Sequence, residues 1–362
     1  MATLLMQCLR EPASLPGLSL KQWDGLLRVA RGANLLSRLA TRAEEAGVLT
    51  AVHAAAQPHL VAALVLNRHQ REAIQWEFGH LAEALAPLGV PLVLLKGAAY
   101  AAAGREAARG RIFGDVDLLV PRESLNAVEA ALRLHGWSNG GTDPYDQRYY
   151  REWMHELPPM AHLKRGTLVD VHHNILPLTA KAVPDAGLLV TASQPVAGSP
   201  WRVLAPQDMF IHSAVHLFHE GELNNGLRDL YDLQALGEEF TRTDPGYWAA
   251  MLARAQVLGM AWPAALALRY LHAVLQMEVP AAVRQQALAN AALGGLRLRA
   301  LDAMYLRAFV PVYPDAPPPG SGVARTAIYL RSHALRMPFG MLAVHLGRKA
   351  FLRLFKNSSR QA

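Results

Sequence analysis

The chain has 362 residues, of which 52 % are apolar and 18 % charged, and one is a cysteine, Cys8. That excludes a disordered chain, which needs low hydrophobicity and high net charge, and it excludes a disulfide scaffold. The length suits about two or three domains, and the net charge of +7 is spread unevenly along it.

Residues 19–86 read as helices. Trp23, Leu26, Leu27, Ala30, Leu35, Leu36 and Leu39 recur at helical spacing. A second helical run covers about His59 to Leu85, and Pro87-Leu88-Gly89 breaks it. Residues 84–103 are the nearest approach to the ~20 unbroken apolar residues of a membrane span. Pro87, Pro91, Lys96 and Gly97 interrupt them. Residues 1–12 lack a charged stretch followed by an apolar core, so no signal peptide is expected. The default expectation is a soluble cytoplasmic protein of bacterial type.

After Gly89 the period changes. Val90 to Leu95 is a short apolar run that suits a buried strand. Lys96-Gly97 ends it, and Ala98 to Ala108 is alanine-rich and helical. Ile112 to Val120 predicts a second strand. Asp115 and Asp117 alternate there with Val116 and Leu118, so both carboxylates share one face. Glu123 to His135 predicts an amphipathic helix, and Gly136 to Tyr145 a loop. Pro158 to Leu163 and Thr167 to His172 predict two strands around a Lys164-Arg165-Gly166 turn, and the second contains Asp170. From Pro206 to about Phe355 the pattern is helical again. Breaks fall at Glu220–Asn225, Thr243–Gly246, Pro280, Gly294-Gly295 and Pro311–Gly322. Pro314 to Gly322 reads as a linker. No fixed-period repeat is visible.

The fold class expected is therefore α+β. It has an N-terminal helical segment (1–86), a small α/β core with a mixed sheet (87–205) and a C-terminal helical domain (206–362). Residues 1–120 carry 12 basic and 10 acidic groups, residues 121–244 carry 10 and 16, and residues 245–362 carry 14 and 3. The basic last third suits packing against the acidic middle, a nucleic-acid backbone or another anion. Arginine outnumbers lysine thirty to six, so each lysine stands out.

Two carboxylates two residues apart on one strand face repel, and a cation between them relieves this. A hard divalent ion with oxygen ligands fits, and Mg²⁺ fits best where phosphates complete its shell. Asp170, in Val-Asp-Val, would be the third carboxylate if its strand neighbours the first, as two-metal phosphoryl transfer requires. A strand ending in Lys96-Gly97 and opening a helix offers N–H groups and a point charge to a phosphate. Arg111 could clamp a phosphate or neutralise the acidic pair. His172 shares Asp170's strand face, while His155 and Glu156 are candidates for a cleft wall that no spacing assigns. His212, His216 and His219 share a helical face with Asp208. That suits either a zinc site or histidines satisfied between helices, such as His216 with Asp229.

The segment LVLLKGAAYAAAG…RGRIFGDVDLLVP resembles the uncharacterised nucleotidyltransferase family, a branch of the DNA-polymerase-β-like nucleotidyltransferase superfamily. Lys96-Gly97-Ala98 matches its glycine motif, Asp115 and Asp117 its acidic pair, Arg111 its usual arginine, and Asp170 in Leu-Val-Asp-Val-His-His its third acid. Asp208, His212, His216, Arg228 and Asp229 are similar to its helical part, and the resemblance runs over about residues 20–355. Ala98 stands where many superfamily members carry a small polar residue.

The resemblance implies an Mg²⁺-dependent enzyme that moves an NMP from an NTP to an acceptor hydroxyl. Asp115, Asp117 and Asp170 would be its catalytic metal ligands, for two ions. Lys96, Gly97, Ala98 and Arg111 would bind the phosphates of the NTP, ATP being the expected one, and His172 would support the ligands. The acceptor would be a small molecule, a peptide or a protein. Alternatives are a toxin-type enzyme acting on tRNA or other nucleic acid, and a catalytically idle protein that binds a nucleotide or a partner.

Overall fold

The sequence pattern separates a short apolar run from the long amphipathic stretches on either side, and the chain folds accordingly as a helical α+β protein around one small sheet. This is a computed structural model, and it describes residues 2–140, 149–311, 318–338 and 340. The helices before the sheet are α1 (Ala2–Arg10), α2 (Leu20–Gly32), α3 (Leu36–Glu45) and α4 (Gln57–Leu85). Ser19 and Gln22 cap the start of α2 reciprocally, which satisfies two orphan backbone donors. Pro87 ends the helical run, and Gly89, at φ +64°, turns the chain into the sheet.

Strands β1 (Leu92–Leu94), β2 (Asp115–Leu119), β3 (Trp137–Ser138), β4 (Met160–His162), β5 (Leu168–His172), β6 (Gln194–Pro195) and β7 (Trp201–Val203) form one sheet, in the order β3-β4-β5-β2-β1-β7-β6. The sheet is mixed. β2 runs parallel to β5 and antiparallel to β1, and β1 runs parallel to β7. Helices α5 (Lys96–Ala102), α6 (Leu125–Leu134) and α7 (Ala186–Ala192) connect its strands. Strand alternation sends Val116, Leu118, Val169 and Val171 into the core on one face and leaves the opposite face to Asp115, Asp117, Asp170 and His172.

After the sheet come α8 (Pro206–His219), α9 (Gly226–Thr243), α10 (Tyr247–Val257), α11 (Ala261–Leu275), α12 (Ala281–Asn290), α13 (Gly295–Ala308) and α14 (Ser321–Arg336). α8 is the central one. Phe210, Ile211 and Phe218 on it are fully buried, and Ser213 meets the hydroxyl of Tyr100 on α5 at 2.5 Å. Among the described residues, no helix is long and apolar enough to cross a membrane.

Most predicted elements are present with shifted ends. Three short strands, β3, β6 and β7, lie where the sequence suggested loop or nothing, and the helical stretch breaks additionally at Leu258–Met260. Residues 314–317 of the predicted linker and the helical expectation over 341–355 fall outside the described residues, and the last two residues of that linker, Ser321 and Gly322, already open α14.

Arginines of the basic last third reach inward. Arg254 grips Asp208 through both carboxylate oxygens, Arg336 lies 3.9 Å from Glu220, and Arg269 pairs with Asp302. Arg325 bonds backbone carbonyls at Ala308 and Val310. Arg254 and Arg336 thus reach residues of the acidic middle, whereas Arg269 and Arg325 find their partners within the last third itself.

One buried ion network ties the three sections together. Asp232 of α9 accepts from Arg38 of α3 (2.8 Å) and from Arg111 in the loop before β2 (2.8 Å). Its side chain is 3 % exposed and theirs are 3 % and 9 % exposed, so water cannot replace it. Removing one partner from such a group leaves uncompensated buried charge. Asp232→Ala should therefore lower unfolding stability by about 3–5 kcal/mol, far more than an exposed pair would cost. Urea unfolding of the two proteins measures it.

Candidate active site

The site is built from β1, β2, β5 and the turn into α5. The parallel pairing of β2 and β5 sets Asp117 directly opposite Asp170 and Asp115 opposite Leu168. One carboxylate oxygen from each of Asp115, Asp117 and Asp170 lies within 4.8 Å of the other two. Asp115 is exposed, Asp170 partly buried and Asp117 only 2 % exposed.

The phosphate-binding candidates sit against this face because β1 runs beside β2. Leu95 N donates to the Asp117 carbonyl at 3.0 Å, which brings the turn onto the carboxylate strand. Lys96 follows at φ +46°, a left-handed conformation that costs a side-chain-bearing residue energy. The turn aims its ammonium at the sheet, and Nζ donates to Asp117 Oδ1 at 2.7 Å. A Cβ at Gly97 would lie 2.6 Å from Arg111 Nη1 and 3.1 Å from Phe113 Cδ1, so only glycine lets the guanidinium approach the helix start. Ala98 is buried behind it. Arg111 makes its ion pair with Asp232, not with Asp115 or Asp117.

Charge is unevenly compensated. Burial opposes the Asp117 carboxylate, but Lys96 and a hydrogen bond from His172 Nε2 (3.1 Å) more than offset this and hold its carboxyl well below the usual range. Burial likewise disfavours the Lys96 and His172 cations, and Asp117, helped by Glu156, outweighs it in both, so each holds its proton more tightly than usual. Asp170 has no such partner. Burial, then repulsion from Asp117 and Glu156, pushes its carboxyl up to about 7. Asp115 is raised too: although its residue is exposed, its carboxyl loses part of its hydration among the groups of the cleft, and Asp117 then repels it. The Asp170 Oδ1 atom is buried and makes no hydrogen bond.

A cluster of carboxylate oxygens with an unsatisfied buried acceptor is what a hard divalent cation requires, so the residues present fit such an ion. Lys96, Gly97, Arg111, Asp115 and Asp117 line a cleft of about 560 Å³. Its far wall comes from α8, the turn that follows it and the start of α9, with His216, Asn224, Asn225 and Arg228.

Among the described residues, the possible metal groups are the three aspartates and a set made of His155, Glu156 and His172; α8 contributes to neither. His212 is buried, and burial followed by the Lys96 charge pushes it down to about 3. His219 bonds the Val215 carbonyl and packs on Trp262. Asp229 accepts from Arg228 instead of meeting His216. Asp208 is held by Arg254. Asp232 and the contact of Glu156 with His172 were not foreseen. Asp232 stands three residues after Asp229, and nothing in that spacing names its partners.

A lysine-glycine turn thus stands beside three clustered carboxylates on one face of a small mixed sheet, a donor set that suits phosphate and a divalent cation. The chain belongs to the family described as uncharacterised nucleotidyltransferase, whose family model matches residues 19–276. The match stops short of the 355 suggested by the sequence pattern. No curated protein matches the chain.

The raised Asp170 carboxyl has a consequence for stability. Between the ordinary value of about 3.9 and about 7 the folded chain binds more protons than the unfolded one. The Asp170 contribution to stability therefore falls as pH rises through that window and is lowest above it. In metal-free buffer, Asp170→Asn should raise the unfolding temperature at pH 8 and raise it much less at pH 5. Thermal unfolding at the two pH values checks the sign.

Proposed function

We propose that the protein transfers the nucleoside monophosphate of an NTP, with ATP the first candidate, to an acceptor hydroxyl and releases pyrophosphate. The observation that carries this reading is the unpartnered Asp170 Oδ1 opposite Asp117, next to a turn that presents Lys96 and Gly97. In this reading residues 87–205 carry the chemistry, and the helices of 1–86 and 206–362 wall the cleft. The acceptor is a small molecule, a peptide or a protein.

Asp115, Asp117 and Asp170 are the residues that would hold Mg²⁺, two ions by the demands of this chemistry. Bound there, the metal would supply Lewis-acid stabilisation of the charge developing on the transferred and leaving phosphates.

The other residues bind and orient. Lys96 offers a point charge to the β- and γ-phosphates. Asp232 anchors Arg111 at Nε, and this leaves Nη1 beside Gly97 to face the same phosphates. The first N–H groups of α5 have no acceptor within the helix and suit phosphate oxygens. Ala98 can contribute only through its backbone. A cleft of about 560 Å³ has room for a nucleoside behind the phosphates. In the transfer, the acceptor oxygen bonds to the α-phosphorus, the bond to the pyrophosphate oxygen breaks, pyrophosphate leaves with that electron pair, and the hydroxyl proton passes to solvent.

Incubation with fractions of cell lysate and labelled ATP tests this. Label from the α-phosphate should appear on product, and label from the γ-phosphate should leave in pyrophosphate. Asp115→Asn removes an exposed carboxylate. It should cut transfer by about a hundredfold or more with the thermal unfolding profile unchanged. Retention of the γ-label, or full activity in that variant, would reject the reading. Since Asp170 must lose a proton to act as a ligand, activity at limiting Mg²⁺ should rise as pH passes about 7, and excess Mg²⁺ should move the rise to lower pH.

A further inference from the structure

Beyond the three aspartates lies a second group of donors that the transfer chemistry does not use. The chain just before β4 docks in extended form on the end of β5. Glu156 bridges His172 in antiparallel fashion, Leu157 N donates to the Val171 carbonyl at 2.8 Å, and His173 N donates to the His155 carbonyl at 2.7 Å. This backbone zipper fixes His155 and Glu156 against His172. The two imidazole rings lie 5.2 Å apart between centroids. A nitrogen of each ring and a carboxylate oxygen of Glu156 are all within 4.8 Å of one another.

Two nitrogens of this group make no hydrogen bond, although one of them has an ion-pair contact with Glu156 when its ring is protonated. Nδ1 of His155 and Nδ1 of His172 are both buried and make no hydrogen bond. His172 Nδ1 is 3.2 Å from Glu156 Oε2 without hydrogen-bond geometry. Two ligands of one tetrahedral ion with bonds of ~2.1 Å stand about 3.4 Å apart, close to that separation. Asp117 is ionised and can only accept, so His172 Nε2 carries the hydrogen of their 3.1 Å contact. With that hydrogen on Nε2, an ion bound at Nδ1 takes the place of the second proton of the ring. A carboxylate on one ring nitrogen and a metal on the other is the usual setting of a ligating histidine.

We propose that His155, Glu156 and His172 bind a borderline divalent transition-metal ion of the zinc type, at a site separate from the aspartate cluster. Two imidazoles and one carboxylate favour such an ion over Mg²⁺. Three protein ligands leave a fourth position for water or an acceptor oxygen. The two sites share no ligand, and the Asp117–His172 hydrogen bond joins them. The proposal does not depend on nucleotidyl transfer.

Cobalt(II) is the probe, titrated into the metal-free full chain in excess Mg²⁺ and read by its visible absorption. One Co²⁺ per chain should bind with the intense band of a four- or five-coordinate nitrogen-containing site. His155→Ala and Glu156→Gln should each raise the Kd by at least about tenfold, while Asp115→Asn should leave the band unchanged. Thermal unfolding of each metal-free variant verifies that it is folded. Absence of the band in the wild-type chain overturns the proposal. So does a band that survives both His155→Ala and Glu156→Gln, or one lost in Asp115→Asn, which would place the ion on the aspartates. Label transfer from α-labelled ATP reads the other site independently, so failure here leaves that reading intact.

Discussion

The parallel register that sets Asp117 opposite Asp170 is the constraint on which the rest of the structure depends. It brings carboxylate oxygens within 4.8 Å, where two like charges cost about 3 kcal/mol even at an effective dielectric of ~20. The fold compensates one of them. Lys96 and His172 both bond Asp117 Oδ1, at 2.7 and 3.1 Å. Asp170 is left to hold a proton near neutrality or to meet a cation. A sheet face that stores repulsion in this way is poorly suited to a purely structural role and well suited to exchanging a proton for a metal ion.

The second constraint is positional. Lys96 and Gly97 matter only if the turn that carries them stays against β2, and Arg111 matters only if its guanidinium stays against Gly97. The Leu95–Asp117 backbone hydrogen bond holds the first, and Asp232 holds the second. Asp232 also binds Arg38, so the helices before and after the sheet set the position of a group at the cleft. In this fold the helical sections do more than cover the sheet, since one of their charges fixes where Arg111 can point.

Much of this was legible in the sequence, for physical reasons. β1 announces itself through the apolar run Val90 to Leu95, β2 and β5 through alternation long enough to show a period, and the same alternation reveals that Asp115 and Asp117 share a face. The lysine-glycine step between a strand and an alanine-rich helix marks the turn. β3 and β6 are two residues long and β7 is three, too short for a period to appear. Partners are harder still. Arg111 and Asp232 are 121 residues apart, and Arg38 and Asp232 are 194 apart. A single sequence does not say which of several acidic residues an arginine will meet. The pairing of Arg111 with Asp232 in place of the acidic pair, and the approach of Glu156 to His172, became visible only when the tertiary contacts did.

The claim at the centre is that the three aspartates form a cation site whose occupation displaces the Asp170 proton. Calorimetric titration with Mg²⁺ at pH 6, in two buffers of different ionisation enthalpy, measures this directly. The account predicts saturable binding with release of about one proton per chain, and loss of that release in Asp170→Asn. Binding heats that do not depend on the buffer, or proton release that persists in the variant, would contradict it.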